Sequence, residues 1–160
     1  MNRKRFIITC AGLMSLPFLS RTFGGAMDTS TIEKITKTDA EWKKILTQAQ
    51  YDVLREEDTE PPFSSPLNDE KRNGTYACAG CELPLFSSEM KFDSGTGWPS
   101  FFTTIPNHVE TKLDFKLVWP RHEYHCARCG GHQGHVFNDG PEPTGQRWCN
   151  NGLALKFIPA

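Results

Sequence analysis

Two cysteine pairs of identical spacing constrain the fold of this chain more than any other feature. The first pair lies in CAGC at 78–81 and the second in CARC at 126–129, with 44 residues between them. A two-residue gap lets one tight turn direct both sulfurs at a common ion, and four thiolates satisfy the tetrahedral preference of Zn²⁺. The spacing therefore predicts one structural zinc ion, with the ligands Cys78, Cys81, Cys126 and Cys129.

Other uses of these cysteines stay open from the residues alone. In an oxidising compartment the four could form two disulfides, and either pair could act as a redox dithiol. His132 and His135, which follow the second pair, could also join Cys126 and Cys129 in a mixed site. That arrangement leaves the first pair unused and lacks the spacer of about 12 residues found in zinc fingers of two cysteines and two histidines. The repeated pair favours zinc and leaves the two histidines free for another role.

Residues 1–26 have the pattern of an export signal. The basic start MNRKR precedes the 14-residue apolar run FIITCAGLMSLPFL, and SRTFGGA ends in small residues typical of a cleavage site. The run is short for a membrane span. Arg3, Lys4 and Arg5 resemble a twin-arginine signal with lysine in one key place, and an ordinary secretory signal is the alternative type of export signal. We expect removal of this segment and a periplasmic or secreted protein, and an amino-terminal anchor or buried helix is the alternative.

The rest of the chain has the composition of one globular domain. Without residues 1–26 it carries 14 Lys+Arg against 19 Asp+Glu, a formal charge of −5, and 38% of the whole sequence is hydrophobic. Such a chain attracts neither nucleic acid nor an anionic membrane, so we expect neither as a partner and no stable membrane insertion after processing. We expect a linker over 27–37 and the functional domain over 38–160.

Sequence patterns predict short helices first and strands afterwards. TDAE at 38–41 and TQAQ at 47–50 are typical of capping boxes that each open a helix. Residues 59–74 carry three prolines and several polar turn residues, which predicts a long ordered loop. Alternating apolar residues predict a strand over 113–119, and LALKFI predicts a closing strand over 153–158. The expected fold class is mainly β with short amino-terminal helices.

Cys149 is the cysteine that a four-cysteine zinc site leaves over, because Cys10 lies in the predicted signal. A thiol becomes a nucleophile when it is accessible and its thiolate is stabilised, and Arg147 could supply the positive charge. Cys149 is thus a candidate nucleophile. The alternative is a small buried hydrophobic residue beside the last strand.

Four motifs follow one another in a characteristic order. The repeated CxxC pair counts as one motif, and the others are SGTGWPSFF at 94–102, HQGHVFNDGP at 132–141 and RWCNNGLALKF at 147–157. In this order and spacing the chain resembles the B-type methionine sulfoxide reductases, which act on the R epimer, over about residues 38–157. The resemblance implies a zinc-stabilised domain of twisted, partly closed antiparallel sheets that reduces oxidised methionine in proteins. A non-catalytic zinc-binding interaction module of related fold is the alternative.

The resemblance also implies roles for individual residues. Cys149 would attack the sulfoxide, and one of the paired histidines would protonate its oxygen, with His135 preferred over His132. Asn151 would form hydrogen bonds within the site. Arg147 would hold the charge and water structure of the site.

Trp98 would receive the terminal methyl group of the substrate on its indole face. Three positions depart from the family pattern. Trp148 stands where tyrosine or phenylalanine is usual, and Gly152 stands where serine is common. Thr96 occupies the place where many relatives carry a second cysteine that resolves the sulfenic acid. Cys149 is therefore expected to depend on an external reductant, either a thioredoxin-like partner or a small thiol.

Overall fold

The structure is a computed structural model that describes residues 32–116 and 119–160. The predicted signal peptide and residues 27–31 of the predicted linker lie outside these described residues, and their boundaries remain predictions. Within the described ranges the chain forms two α-helices and nine β-strands. None of the helices in these ranges has the length and apolar character that a membrane crossing needs.

Two short helices precede the sheets, as the capping patterns predict. Helix α1 spans Asp39–Ile45 and helix α2 spans Gln48–Glu56, and each begins after a threonine whose hydroxyl accepts a hydrogen bond from a first-turn amide. The buried side chains of Trp42 and Leu54 pack against the turns that carry the cysteine pairs. Arg55 donates a hydrogen bond to the carbonyl oxygen of Cys129 at 3.0 Å. The helices therefore cover one side of the cysteine turns.

A three-stranded antiparallel sheet pairs the first strand of the domain with the last. Strand β1 (Gly74–Cys78) lies between β2 (Pro84–Ser87) and β9 (Leu155–Pro159). The predicted closing strand is confirmed, but it begins later than expected because Gly152–Ala154 forms a short 3₁₀ turn. The loop predicted upstream of β1 is also confirmed, with one 3₁₀ turn at Pro66–Asn68.

A six-stranded antiparallel sheet forms the larger part of the domain. Its strands are β3 (Lys91–Phe92), β4 (Ser100–Phe101), β5 (Val109–Asp114), β6 (Arg121–Cys126), β7 (His132–Phe137) and β8 (Arg147–Asn150). They are hydrogen-bonded in the order β3-β4-β8-β7-β6-β5. Cys149 of β8 lies opposite Ser100 on one side and opposite His135 on the other. The sheet thus brings three separate sequence motifs to one place.

Aromatic side chains fill the space between the two sheets. Phe86 of β2 stacks on Phe101 of β4 with ring centroids 4.0 Å apart, and Tyr76 of β1 meets the same ring edge-on at 5.0 Å. Tyr124 of β6 extends the cluster. All four rings are fully buried, and burial of a large side chain stabilises the fold by on the order of 2 kcal/mol. The predicted mainly β fold, with two antiparallel sheets and short helices, is confirmed.

Of the strand predicted over 113–119, residues 117 and 118 lie outside the described residues. In the rest of this range the prediction is wrong beyond Asp114, where β5 ends. There the carboxylate of Asp114 accepts a hydrogen bond from the backbone N–H of Lys116 at 2.8 Å, an Asx turn that ends β5. Phe115 and Trp119 are 71% and 80% exposed. The alternation of apolar residues in this segment therefore does not mark a buried strand face.

Candidate active site

The four paired cysteines meet at one point. Their sulfur atoms all lie within 4.8 Å of one another, with 3.7 Å between Cys78 and Cys129 and 3.5 Å between Cys81 and Cys126. Four sulfurs around a zinc ion, each about 2.3 Å from the metal, lie roughly 3.8 Å apart. A disulfide needs about 2.05 Å, and all four cysteines are free thiols. The donor set fits a structural zinc ion, as the spacing predicts.

A cleft of about 120 Å³ opens beside Cys149. This is room for a group of a few heavy atoms, since one water molecule occupies about 30 Å³ in the liquid. Four of the six residues predicted for the site beside the zinc ligands line the cleft, namely Trp98, His135, Cys149 and Asn151. His132 and Arg147 are buried elsewhere and do not line it. The cleft therefore separates the predicted residues into those a substrate would touch and those behind them.

The backbone around Cys149 is fixed by close approach of β7 and β8. A Cβ added at Gly134 would lie 1.9 Å from the carbonyl oxygen of Cys149, so this approach requires glycine. The Tyr124 hydroxyl donates a hydrogen bond to Oδ1 of Asn150 at 2.7 Å. Burial raises the pKa of the Cys149 thiol above its ordinary value of 9.0, and the charge of Arg147 opposes this rise. The strand geometry thus holds a partly buried thiol at the cleft.

Arg147 supplies positive charge from outside the cleft wall. Its Nε and Nη2 donate hydrogen bonds to the two carboxylate oxygens of Asp139, both at 2.9 Å. Its guanidinium carbon lies 4.3 Å from the ring centroid of Phe137, which does line the cleft. Such a bidentate ion pair holds the arginine in one orientation. Arg147 therefore acts on Cys149 through its charge.

His135 is the histidine that faces the cleft. Its Nε2 lies 2.8 Å from Oδ2 of Asp114, and the same oxygen accepts a hydrogen bond from Nη2 of Arg121 at 2.8 Å. Burial lowers the pKa of His135 below its ordinary 6.5, while the bond to Asp114 opposes this shift. Hydrogen bonds from the Lys116 amide and from His135 lower the pKa of Asp114. The neutral imidazole therefore donates its Nε2 proton to an ionised carboxylate.

His132 lies behind His135, with ring centroids 5.6 Å apart. Its Nδ1 is 2.6 Å from Oε1 of Glu123, whose other oxygen lies 3.3 Å from Nδ1 of His125. Burial opposes the ionisation of Glu123, but its hydrogen bonds with His125 and His132 bring its pKa down to about 2. Neither His132 nor His135 belongs to the metal group, so the mixed metal site is not formed.

Glu60, to which no sequence pattern points, joins two of the predicted site residues. Its carbonyl oxygen accepts a hydrogen bond from Nε1 of Trp98 at 3.0 Å, and its backbone N–H donates to Oδ1 of Asn151 at 3.1 Å. Its carboxylate accepts hydrogen bonds from the backbone N–H groups of Gly152 at 2.6 Å and Leu153 at 2.9 Å. Glu60 thereby ties the loop before β1 to the segment that follows Cys149.

Two departures from the family pattern lie outside the cleft wall. Trp148 packs edge-on against Tyr124 at 5.0 Å. At Gly152 an added Cβ would lie 1.9 Å from Oγ of Ser65, so a serine there would have to displace Ser65. Neither Trp148 nor Gly152 lines the cleft, so these changes affect the packing around the site.

The fold and the site together define a mainly β protein with a four-cysteine metal group and a cleft that joins a thiol to a histidine–carboxylate pair. The chain belongs to the SelR domain family, whose model matches residues 46–159. This confirms the resemblance to the B-type methionine sulfoxide reductases that the four motifs indicate.

Curated relatives support the same family. The chain is 52% identical to the peptide methionine sulfoxide reductase MsrB of Methanosarcina barkeri, over 77% of this chain and 87% of the relative. It is 48% identical to the MsrB of Agrobacterium fabrum, over 83% of this chain and 99% of the relative. It is 51% identical to the chloroplastic peptide methionine sulfoxide reductase B1 of Arabidopsis thaliana, over 75% of this chain and 60% of the relative.

Proposed function

We propose that this protein is a peptide-methionine (R)-S-oxide reductase that repairs oxidised methionine in proteins through Cys149. Membership of the SelR family and identity of about half to named reductases support this class of reaction. The observation that carries the proposal is the cross-strand pair of Cys149 and His135, both of which line one cleft. A non-catalytic zinc module would need neither a thiol nor a histidine–carboxylate pair in a cleft.

The chemistry follows from these two side chains. The thiolate of Cys149 attacks the sulfoxide sulfur, and an acid must protonate the oxygen because oxide is a poor leaving group. His135 is the acid in this proposal, and Asp114 orients its ring. In the net step the S–O bond of the substrate breaks and the oxygen passes to Cys149. The substrate sulfur gains two electrons and leaves as a thioether, while Cys149 becomes a sulfenic acid.

Trp98 provides the contact for the substrate methyl group. Its indole lines the cleft beside Cys149, and its Nε1–H is already bonded to the Glu60 carbonyl oxygen. The ring face is therefore left for an apolar or weakly cationic group, and the methyl next to a polarised S–O bond is such a group. Asn151 lines the same cleft, with its side-chain amide bonded to the backbone of Glu60 and Gln133. We infer that Asn151 shapes the cleft mainly by holding these two segments.

An external thiol completes the cycle in this proposal. One thiol attacks the sulfenic acid, which gives a mixed disulfide and water, and a second thiol releases Cys149 and leaves as a disulfide. A thioredoxin-like protein or a small thiol can supply both. Thr96 supports this scheme, because it stands where a resolving cysteine would lie.

We also propose that the protein acts outside the cytoplasm, on the basis of the basic and apolar pattern of residues 1–26. The test is the amino-terminal sequence of the protein purified from its native host. We expect a mature chain that begins near Met27 in a non-cytoplasmic fraction. An intact Met1 in the cytosol would contradict export.

The enzymatic proposal is tested with a peptide that carries either the R or the S epimer of methionine sulfoxide. With dithiothreitol as reductant, we expect the purified protein to convert the R peptide to the methionine peptide and to leave the S peptide unchanged, as followed by chromatography. Equal rates on both epimers would contradict the assigned specificity. No conversion of either epimer would support the interaction module instead.

A further inference from the structure

A groove adjoins the cleft at Trp98, and the mechanism above does not use it. Its volume is about 220 Å³, nearly twice the 120 Å³ of the cleft. Trp98 lines both cavities and therefore stands between them. The apolar residues Phe63, Phe92 and Pro99 also line the groove. A substrate that occupies the cleft can thus continue past Trp98 into this groove.

Phe63 lines the groove in a backbone conformation that costs energy. It follows Pro61 and Pro62 in a tight turn, and its φ of 63° lies in the left-handed region that favours glycine. Its side chain is 73% exposed, so burial in the core does not offset that cost. Strained residues of this kind persist where the surrounding structure holds them, and they are concentrated at functional sites. The packing of the fold alone therefore does not explain a phenylalanine at this position.

Contacts with the loop before β4 hold Phe63 beside Trp98. The backbone N–H of Phe63 donates to the carbonyl oxygen of Gly97 at 2.7 Å, and Nδ2 of Asn68 donates to the same oxygen at 3.0 Å. A Cβ added at Gly97 would lie 3.0 Å from Cδ2 of Phe63, so the ring lies against this glycine. The indole of Trp98 is fixed by its hydrogen bond to the Glu60 carbonyl oxygen. Both rings are thus in place before a substrate arrives, which lowers the entropic cost of binding.

The charged side chains along the groove balance one another. They are two lysines and two aspartates, namely Lys71, Lys91, Asp69 and Asp93. Nζ of Lys91 already donates to the carbonyl oxygen of Asn68 at 2.8 Å. A charged ligand group would therefore meet both signs of charge, whereas an apolar group gains from contact with the aromatic residues. The lining favours an apolar side chain.

The polypeptide around an oxidised methionine has the dimensions to supply this side chain. The cleft takes only the end of the methionine sulfoxide side chain, so the rest of the substrate lies outside it. An extended chain advances about 3.3 Å per residue, and two residues therefore span about 7 Å. Groups that contact two sides of one ring are about as far apart, because carbon atoms touch at about 3.5–4.0 Å. A side chain within two positions of the oxidised methionine can thus enter the groove.

We propose that this groove, with Phe63 and Trp98 as its aromatic walls, selects polypeptides that carry a large apolar side chain within two positions of the oxidised methionine. Phe63 is a specificity-determining residue and not a catalytic one, because it does not line the cleft. The inference rests on the proposed function, which supplies the oxidised methionine. It concerns the choice among substrates and leaves the chemical step at Cys149 as described.

The kinetic test uses pairs of blocked peptides with the R epimer of methionine sulfoxide at the centre. The two members of a pair differ at one position, which holds phenylalanine in one and serine in the other, and glycine or alanine fills the rest. At one or more positions within two residues of the sulfoxide, we expect kcat/KM to be about tenfold higher for phenylalanine, through a lower KM. Pairs that differ further along the peptide should react alike.

The variant Phe63→Gly removes the ring and suits the positive φ at this position. It should therefore melt no lower than wild type, while the phenylalanine-to-serine ratio of kcat/KM should fall to about twofold or less. This ratio compares two peptides on one protein, so any general change in activity cancels. Phe115→Gly is the matched control, because Phe115 is similarly exposed at 71% and lies beyond β5. It should keep the wild-type ratio, and zinc content checks that both variants are folded.

A binding measurement separates this inference from the proposed function. Calorimetry with Cys149→Ser needs no turnover, and the phenylalanine peptide should bind about tenfold more tightly than its serine partner. This binding preference without reduction of either peptide would refute the proposed function but leave the inference standing. Normal reduction with equal kcat/KM for every pair would overturn the inference. A ratio that is unchanged in Phe63→Gly, or that is lost in Phe115→Gly instead, would overturn it as well.

Discussion

At the scale of the residue, the structure shifts the pKa values of Cys149 and His135 in opposite directions. Burial raises the pKa of the thiol above 9.0 and lowers the pKa of the imidazole below 6.5. Both groups are therefore chiefly neutral near pH 7, which limits oxidation of the resting thiol because the thiolate is the form that oxidants attack. The reactive pair, a thiolate beside a protonated imidazole, is a minor form of the site.

We predict a flat-topped pH profile for kcat/KM. Between the two pKa values, the thiolate fraction of Cys149 rises with pH as fast as the protonated fraction of His135 falls, so their product is constant. Below the pKa of His135 the rate falls because thiolate is still being lost, and above the pKa of Cys149 it falls because protonated imidazole is still being lost. Initial rates with the R peptide from about pH 5 to pH 10.5 measure this profile. A sharp maximum near neutral pH would contradict the assignment.

Replacement of the nucleophile gives the second prediction at this scale. Cys149→Ser should abolish turnover of the R peptide, because a serine hydroxyl is not ionised at neutral pH. Cys149 is not in the metal group, so zinc content and thermal melting should stay close to wild type. Steady-state assays, elemental analysis and calorimetry check the three quantities. A variant with substantial activity would show that another group attacks the sulfoxide.

At the scale of the element, the loop before β1 supports the site through Glu60. The variant Glu60→Ala keeps the backbone bonds to Trp98 and Asn151 but leaves the amides of Gly152 and Leu153 without their acceptor. Loss of these buried bonds should destabilise the fold by about 1–3 kcal/mol. Because the segment after Cys149 is then less firmly held against the loop, KM for the R peptide should rise several-fold.

Denaturant unfolding and steady-state kinetics measure these two effects of Glu60→Ala. Glu60→Gln retains one acceptor oxygen and should be intermediate in both measurements. Glu89→Ala, at an exposed glutamate, is the control and should match wild type. An unchanged unfolding curve for Glu60→Ala would show that the carboxylate contacts contribute nothing.

Elements with local determinants were predictable from the sequence, and those with distant determinants were not. Both helices begin with capping boxes whose bonds span three residues, and the metal group follows from identical turns. The strand over 113–119 failed because Asp114 uses its side chain in a turn and in a bond to His135, 21 residues away. Glu60 was missed for a similar reason, because its contact with Asn151 spans 91 residues. An acidic residue in a polar loop carries no local sign of such a partner.

At the scale of the whole molecule, the metal group joins the two sheets. Cys78 ends β1 of the smaller sheet and Cys126 ends β6 of the larger one. We predict one zinc ion per chain by elemental analysis. Structural zinc sites contribute on the order of 10 kcal/mol, so Cys78→Ser should lose the metal and melt at a much lower temperature. Active, folded protein without metal would contradict this prediction.

The distribution of cysteines over the molecule decides how the enzyme is recycled. Four of the five cysteines in the described residues are gathered in the metal group, and the residue two places before Trp98 is a threonine, Thr96, rather than a cysteine. The sulfenic acid formed in one turnover therefore has no thiol of the described chain free to attack it, and it should persist until an external thiol arrives. After one equivalent of the R peptide without reductant, mass spectrometry should find a dimedone adduct at Cys149 and an intact metal group. Addition of dithiothreitol before dimedone should prevent the adduct and restore the thiol. A disulfide between Cys149 and one of the metal-group cysteines, formed fast enough to support turnover, would contradict this scheme and would require the metal group to open in every cycle.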